Sequence, residues 1–256
     1  MGDREVVIFD LDGTLVRGDS FSRFLTELLV SRPVRGFLSS LVAGPMLVFP
    51  RLRRPAVNLW LWCATVGMSD AHYEQLVESY VDRHYRPQSG RRIESALDRV
   101  REHRAAGHEV VVVTGSEERL ARRICRRLGL TGVEVLGSTL VRRRGALALS
   151  VHCYGPVKLA RLRAQGFLGP IACAYTDSSA DLPLLLAATD RVLVEPGAWN
   201  RRRVHARIGA CPVLEKPADP APRGHRAWIR FAMTISRRPS ARTSPNSPVA
   251  SNPLRR

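Results

Sequence analysis

Lysine is almost missing from this 256-residue chain: Lys158 and Lys216 stand beside 38 arginines. Arginine is therefore the default cation, and a lysine kept at one position asks for a specific reason. Cysteine is scarce and scattered. Cys63, Cys125, Cys153, Cys173 and Cys211 are odd in number and lack metal-ligand spacing. This excludes a disulfide framework and a cysteine-held zinc site, and suits small buried hydrophobes in a reducing cytoplasm. No apolar run approaches the roughly twenty residues that cross a bilayer as a helix. A secretory leader is not expected either, because the first strand-like run begins at Val6 and its motif is complete by Thr14.

Acidic residues are also few, 23 against 40 basic ones, for a net charge of +17. A GC-rich coding bias toward arginine explains part of that excess. The rest suits an anionic partner: a phosphorylated substrate, an anionic lipid surface or nucleic acid. Hydrophobic residues make up 45 % of the chain, enough for a substantial core, which excludes wholesale disorder.

Glu5-Val-Val-Ile-Phe-Asp10 is an apolar, β-branched run of the kind buried on both faces of a parallel sheet. Runs over 108–114, 133–136, 171–176 and 191–194 repeat it. Helical stretches at 91–106 and 117–128 lie between them, each followed by a glycine, Gly107 and Gly129. Strands alternating with helices predict an α/β fold with a doubly wound parallel sheet. From about Ser20 to Arg86 no strand is needed, and helices joined at prolines form an insertion between the first two strands. A β-hairpin turning at Gly145 is expected over 139–150. The expected organisation is a catalytic core of 1–17 and 88–215, an inserted α-helical cap of 18–87 and a basic tail of 216–256. That tail carries eight arginines and Lys216 against Asp219, and is expected to be mostly disordered. A short amphipathic helix over 227–235 is a further expectation there.

Four clusters fall at the carboxyl ends of predicted strands, where open α/β sheets hold their ligands. In Asp10-Leu-Asp12-Gly13-Thr14, two aspartates two apart leave an extended chain on the same side, and Gly13 permits a sharp turn. Thr114-Gly115-Ser116 offers hydroxyls to an anion, or equally caps the helix that follows. Lys158 supplies a compact ammonium, or is a solvated helix residue. Asp177 lies at a strand end, with Asp181 four residues on so that both face one cleft.

In this order and spacing the clusters resemble the haloacid dehalogenase superfamily of phosphohydrolases. The helical insertion resembles the cap of the branch containing phosphoserine phosphatase, subfamily IB. The resemblance covers about residues 5–200. It implies Asp10 as nucleophile, carrying an aspartyl phosphate, and Asp12 as general acid and base, its proton favoured by repulsion among neighbouring carboxylates. It further implies Thr114 and Lys158 at the phosphoryl group, with Gly115, Ser116 and Asp19 binding substrate. Mg²⁺ would be held by the Asp10 carboxylate, the Asp12 carbonyl and Asp177, with Asp181 orienting metal waters or Lys158. Ala180 departs from the asparagine often found there in phosphoserine phosphatase-like members, which weakens a serine-phosphate reading. Asp19 precedes Ser20-Phe-Ser-Arg23 and also suits an ordinary helix cap.

The uncharged run Phe37–Pro50 is flanked by Arg32, Arg35, Arg51, Arg53 and Arg54. That pattern suits an interfacial segment on an anionic membrane, or a buried helix of the cap. The stretches 59–68, 151–158 and 175–186 resemble the phosphatidylglycerophosphatase C family, which implies a lipid phosphate substrate at the cytoplasmic face of the inner membrane. The competing expectations are a soluble phosphatase for a small metabolite, such as phosphoserine or a sugar phosphate, and a nucleic-acid-binding module on a vestigial fold. Intact Asp10, Asp12, Lys158, Asp177 and Asp181 argue against the last.

Overall fold

A computed structural model describes residues 5–215. A seven-stranded sheet runs in the order β4-β3-β2-β1-β5-β6-β7. Its strands are β1 (Val6–Phe9), β2 (Glu109–Glu117), β3 (Glu134–Arg143), β4 (Ala146–Val151), β5 (Ile171–Thr176), β6 (Ala188–Val194) and β7 (Val213–Leu214). All pairings are parallel except β3–β4. The antiparallel exception is the expected hairpin. Its two-residue turn is Arg144-Gly145, both with positive φ (49° and 76°), as the twist of a tight hairpin requires.

Four helices are inserted between β1 and β2: α1 (Ser20–Val30), α2 (Pro33–Met46), α3 (Arg53–Thr65) and α4 (Asp70–His84). The remaining helices are α5 (Glu94–Ala105), α6 (Glu118–Arg127), α7 (Pro156–Ala164), α8 (Leu182–Ala187) and α9 (Ala198–Ile208). Side-chain alternation along β1 divides the core. Val7 and Phe9 join one apolar cluster with α1, α4, α5 and α6, while Val6 and Ile8 join another beneath α7, α8 and α9. The sheet is thus covered on both faces, as its near-continuous apolar strands require.

The insertion is fastened at two places. Along β4, an edge strand, α3 supplies what a further strand would: Asn58 Oδ1 accepts from the Leu149 N–H (2.8 Å) and Thr65 Oγ1 from the Leu147 N–H (2.9 Å). Arg54 donates to the Ser150 carbonyl at 2.7 Å. Between α4 and α6 the fastening is a ladder of ion pairs, Arg119–Glu74 (3.5 Å), Arg123–Glu78 (3.0 Å) and Arg127–Asp82 (3.6 Å). Beneath it, the Arg119 guanidinium lies 4.5 Å from the centre of the buried Tyr73 ring.

α2 corrects one expectation: it is not a buried helix. Its small residues Gly36, Ser39 and Ala43 face inward, and a Cβ on Gly36 would lie 2.5 Å from the Leu29 carbonyl oxygen. Val34, Phe37, Leu38, Leu41 and Val42 form the stripe expected of an amphipathic helix, yet all face outward, each more than half exposed. No helix among the described residues is long and apolar enough to cross a membrane. The expectations for 216–256, including the helix at 227–235, lie outside the described residues.

Candidate active site

The order 2-1-5 makes the junction of β1 and β5 the point where successive connections leave in opposite directions, the place where open α/β sheets hold their ligands at the carboxyl ends. Asp10 follows β1 directly, and its N–H donates to the Tyr175 carbonyl of β5 at 2.9 Å. Its Oδ1 accepts from the Leu11 N–H (2.8 Å) and lies 2.9 Å from Lys158 Nζ. Burial, opposed by Lys158 but reinforced by Asp181 and Asp177, holds the Asp10 carboxyl well above the usual carboxylate range.

Lys158 stands in the first turn of α7 and is buried, so it is not a solvated helix residue. Its Nζ also reaches Asp181 Oδ2 at 2.8 Å. Burial disfavours its charge, yet Asp10 and Asp181 outweigh that and keep the ammonium protonated above the ordinary lysine range. Asp181 is fixed in turn by the Thr176 hydroxyl (2.7 Å). Its Oδ1 is buried without a protein partner.

Gly13 is where a side chain could not fit. Its φ is +78°, and a Cβ there would lie 2.4 Å from the Asp177 carboxylate. Burial, with Asp181 adding repulsion, pushes the Asp177 carboxyl up to about 6.

Asp12 is hydrogen-bonded toward α1 and β2. Oδ1 accepts from the Ser20 N–H at 2.9 Å, and Oδ2 from the Ser116 hydroxyl at 2.5 Å. The Ser20 and Ser116 hydroxyls are 2.7 Å apart, so a Ser20–Ser116–Asp12 relay spans the insertion and the core. Its carboxyl is raised, as expected, but for another reason. Burial is the main cause, and the only opposing groups are the Ser116 and Ser20 donors; repulsion, from Asp19, is the smallest contribution.

Ser116 is also not a helix cap. Glu117 caps α6 by accepting from the Leu120 N–H (2.8 Å), which leaves the Ser116 hydroxyl to Asp12. Thr114 Oγ1 accepts from the Ser116 N–H at 3.1 Å, so its own proton remains available to an acceptor. Gly115 lies beside the exposed Tyr154 ring. Asp19 caps α1 through the Ser22 N–H (2.7 Å), the alternative left open for it.

Ser20, His152 and Tyr154 have no site role in the sequence pattern, and Arg54 enters it only as a flank of the uncharged run. His152 stacks on Tyr154 (5.4 Å between ring centres) and feels both Arg54 and Asp19, which puts three elements at one rim. The flanks of Cys153 in the run 151–158 were the available signal.

Three buried or half-buried carboxyls, Asp10, Asp177 and Asp181, share one ammonium. This uncompensated set of hard oxygens fits a divalent cation that keeps several waters. Among the described residues no three His, Cys, Asp or Glu side chains are grouped so as to hold a metal ion by themselves.

The sequence profile of the haloacid dehalogenase-like hydrolases matches residues 7–186. A probable phosphatase of Mycobacterium tuberculosis is 27 % identical over 226 residues, covering 82 % of this chain and 75 % of its own. A protein of unknown function from Bordetella pertussis superposes with a TM-score of 0.67 at 24 % identity, covering 83 % of this chain and 98 % of its own. A phosphoserine phosphohydrolase-like protein from Francisella tularensis does so at 0.55 and 15 %, covering 91 % and 99 %.

Proposed function

The chain belongs to the haloacid dehalogenase-like hydrolases and is a phosphatase, and from that premise we propose that it removes the phosphate from an anionic lipid such as phosphatidylglycerol phosphate. The observation that carries the lipid reading is the outward apolar stripe of α2. A soluble small-metabolite phosphatase has no use for it. Charge supports the same conclusion. From Leu28 to Ser69 the insertion holds five arginines and no acidic residue, so its exposed face suits an anionic surface. In this proposal 18–87 is the cap that selects substrate, working at the cytoplasmic face of a membrane without spanning it.

Asp10 attacks phosphorus in line, its carboxylate gaining the phosphoryl group as the alkoxide leaves. Asp12, able to carry a proton because its carboxyl is raised, gives that proton to the leaving oxygen. It then takes one from the water that hydrolyses the aspartyl phosphate. Thr114 donates its free proton to a phosphoryl oxygen, while Lys158, held by Asp181, offsets charge on Asp10 and the phosphoryl group. The Asp10 and Asp177 carboxylates and the Asp12 carbonyl would hold Mg²⁺, which when bound neutralises phosphoryl oxygen charge. Gly115 gives the substrate close approach, and Ser116 positions Asp12.

The test is a phosphatase panel of phosphatidylglycerol phosphate, phosphoserine and sugar phosphates, with Mg²⁺ or EDTA and Asp10→Asn as blank. Flotation with phosphatidylglycerol vesicles accompanies it. Metal-dependent turnover of the lipid and co-flotation are expected. A protein that ignores both the lipid and the vesicles overturns the lipid reading, and full turnover by Asp10→Asn overturns the mechanism.

A further inference from the structure

A cavity of ≈ 530 Å³ lies between α1, α2 and α3, within the roughly 300–1,000 Å³ of small-ligand sites. Its walls are Phe21, Leu25 and Leu29 of α1, Gly36 and Phe37 of α2, and Trp60 of α3. The α1 contribution runs as 21, 22, 25, 26, 29, 30, a single face of one helix. At 1.5 Å per residue that face is about 14 Å long.

Its two ends matter. One end is Phe21, the neighbour of Ser20, whose N–H holds Asp12. The other is Val30 and Phe37, exposed where α1 turns into the apolar stripe of α2. The groove therefore runs from the residue next to Ser20 to the exposed apolar stripe of α2. No charged side chain lines it; Ser22, Thr26 and Ser40 are its hydroxyl-bearing members, and Trp60 brings an indole N–H.

We infer that this groove is an acyl-chain subsite, which holds the hydrocarbon of an amphiphilic phosphomonoester while its phosphate lies at Asp10. The inference rests on the lipid-phosphate reading and adds the position of the chain. Gly36 sets the groove's closeness, since α2 could not approach Leu29 with a side chain there. Ser40 is an exposed, small lining residue, so enlarging it fills the groove without entering the core.

The test uses the full-length chain and n-alkyl phosphates from ethyl to dodecyl, below their micellar concentrations. kcat/KM is expected to rise by about two- to fourfold per methylene until the groove is filled, then level off. Ser40→Phe should leave ethyl phosphate turnover unchanged and bring the plateau at a shorter chain. Thr26→Trp serves the same purpose if Ser40→Phe misfolds, and Ser40→Ala should keep the wild-type series. A flat series with turnover of phosphatidylglycerol phosphate intact overturns the groove and leaves the lipid reading standing. Hydrolysis of ethyl phosphate alone overturns both. A flat series accompanied by self-association that Ser40→Phe abolishes assigns the groove to a second copy of the chain, and also overturns the inference.

Discussion

The Ser20 N–H donates to Asp12 Oδ1 at 2.9 Å, so the first residue of α1 is bonded to the proposed general acid. The Ser116 hydroxyl completes that acid's coordination. Both donors favour its ionised form, against the burial that favours the proton.

Removing one donor should therefore raise the Asp12 carboxyl further. For Ser116→Ala, the alkaline limb of the pH dependence of phosphoryl transfer to Asp10 is expected to move up by about one unit. Pre-steady-state release of the alcohol from an alkyl phosphate reads this directly. An unmoved limb with an unchanged fold removes Ser116 from the positioning of Asp12.

The metal-free protein should lose stability as pH rises. Asp177 in the folded chain keeps its proton up to about 6, whereas in the unfolded chain it ionises at the ordinary 3.8. The unfolded state then binds fewer protons than the native one. The contribution is full below about 3.8 and disappears as pH rises through about 6. Tm in EDTA should fall across that window, Mg²⁺ should raise Tm more at neutral pH than at pH 4, and Asp177→Asn should flatten both trends.

Two glycines with nearly equal φ separate strain from contact. Gly145 (φ +76°) has open space around its missing side chain, whereas at Gly13 (φ +78°) the Asp177 carboxylate fills it. Gly145→Ala is expected to cost about 1 kcal/mol, from backbone strain alone. Gly13→Ala should cost more and lower kcat by a hundredfold or more, because Asp177 must move. Chemical denaturation and steady-state kinetics on the pair decide it.

Lys158→Met leaves buried carboxylates without their cation and should destabilise the fold by about 3–5 kcal/mol. Adding Asp181→Asn removes one of those charges, so the double variant is expected to be more stable than Lys158→Met, though inactive. A double variant less stable than Lys158→Met would show that the ammonium is not there to balance charge.

What could be read from sequence was whatever local geometry carries. Strand ends and the turn at Gly145 depend on neighbours along the chain, and the structure agrees. The Asp12–Ser116 bond joins residues 104 apart, so no local pattern announces it. The Thr-Gly-Ser turn left a helix cap open as its alternative, and Glu117, one residue later, takes that capping bond. For α2 the uncharged apolar run was legible but the side it turns outward was not. Spacing shows that a helix has an apolar face, while the packing of Gly36, Ser39 and Ala43 decides which face is turned inward.

The charge ladder between α4 and α6 has one further property. Asp70, Glu74, Glu78 and Asp82 repeat every four residues, as do Arg119, Arg123 and Arg127, so both rows have nearly the pitch of the helix. Arg119 already touches two successive rungs, Asp70 at 3.9 Å and Glu74 at 3.5 Å. Sliding one helix past the other by a single turn would remake most of the pairs. The ladder is thus a rail without a stop: it keeps the helices side by side and is nearly silent about which rung meets which. The stop is Tyr73, buried under Arg119 and edge-on to Phe24 of α1. The inserted helices hold their register by an aromatic ring, and its truncation, more than the loss of any one acid, would free them to step.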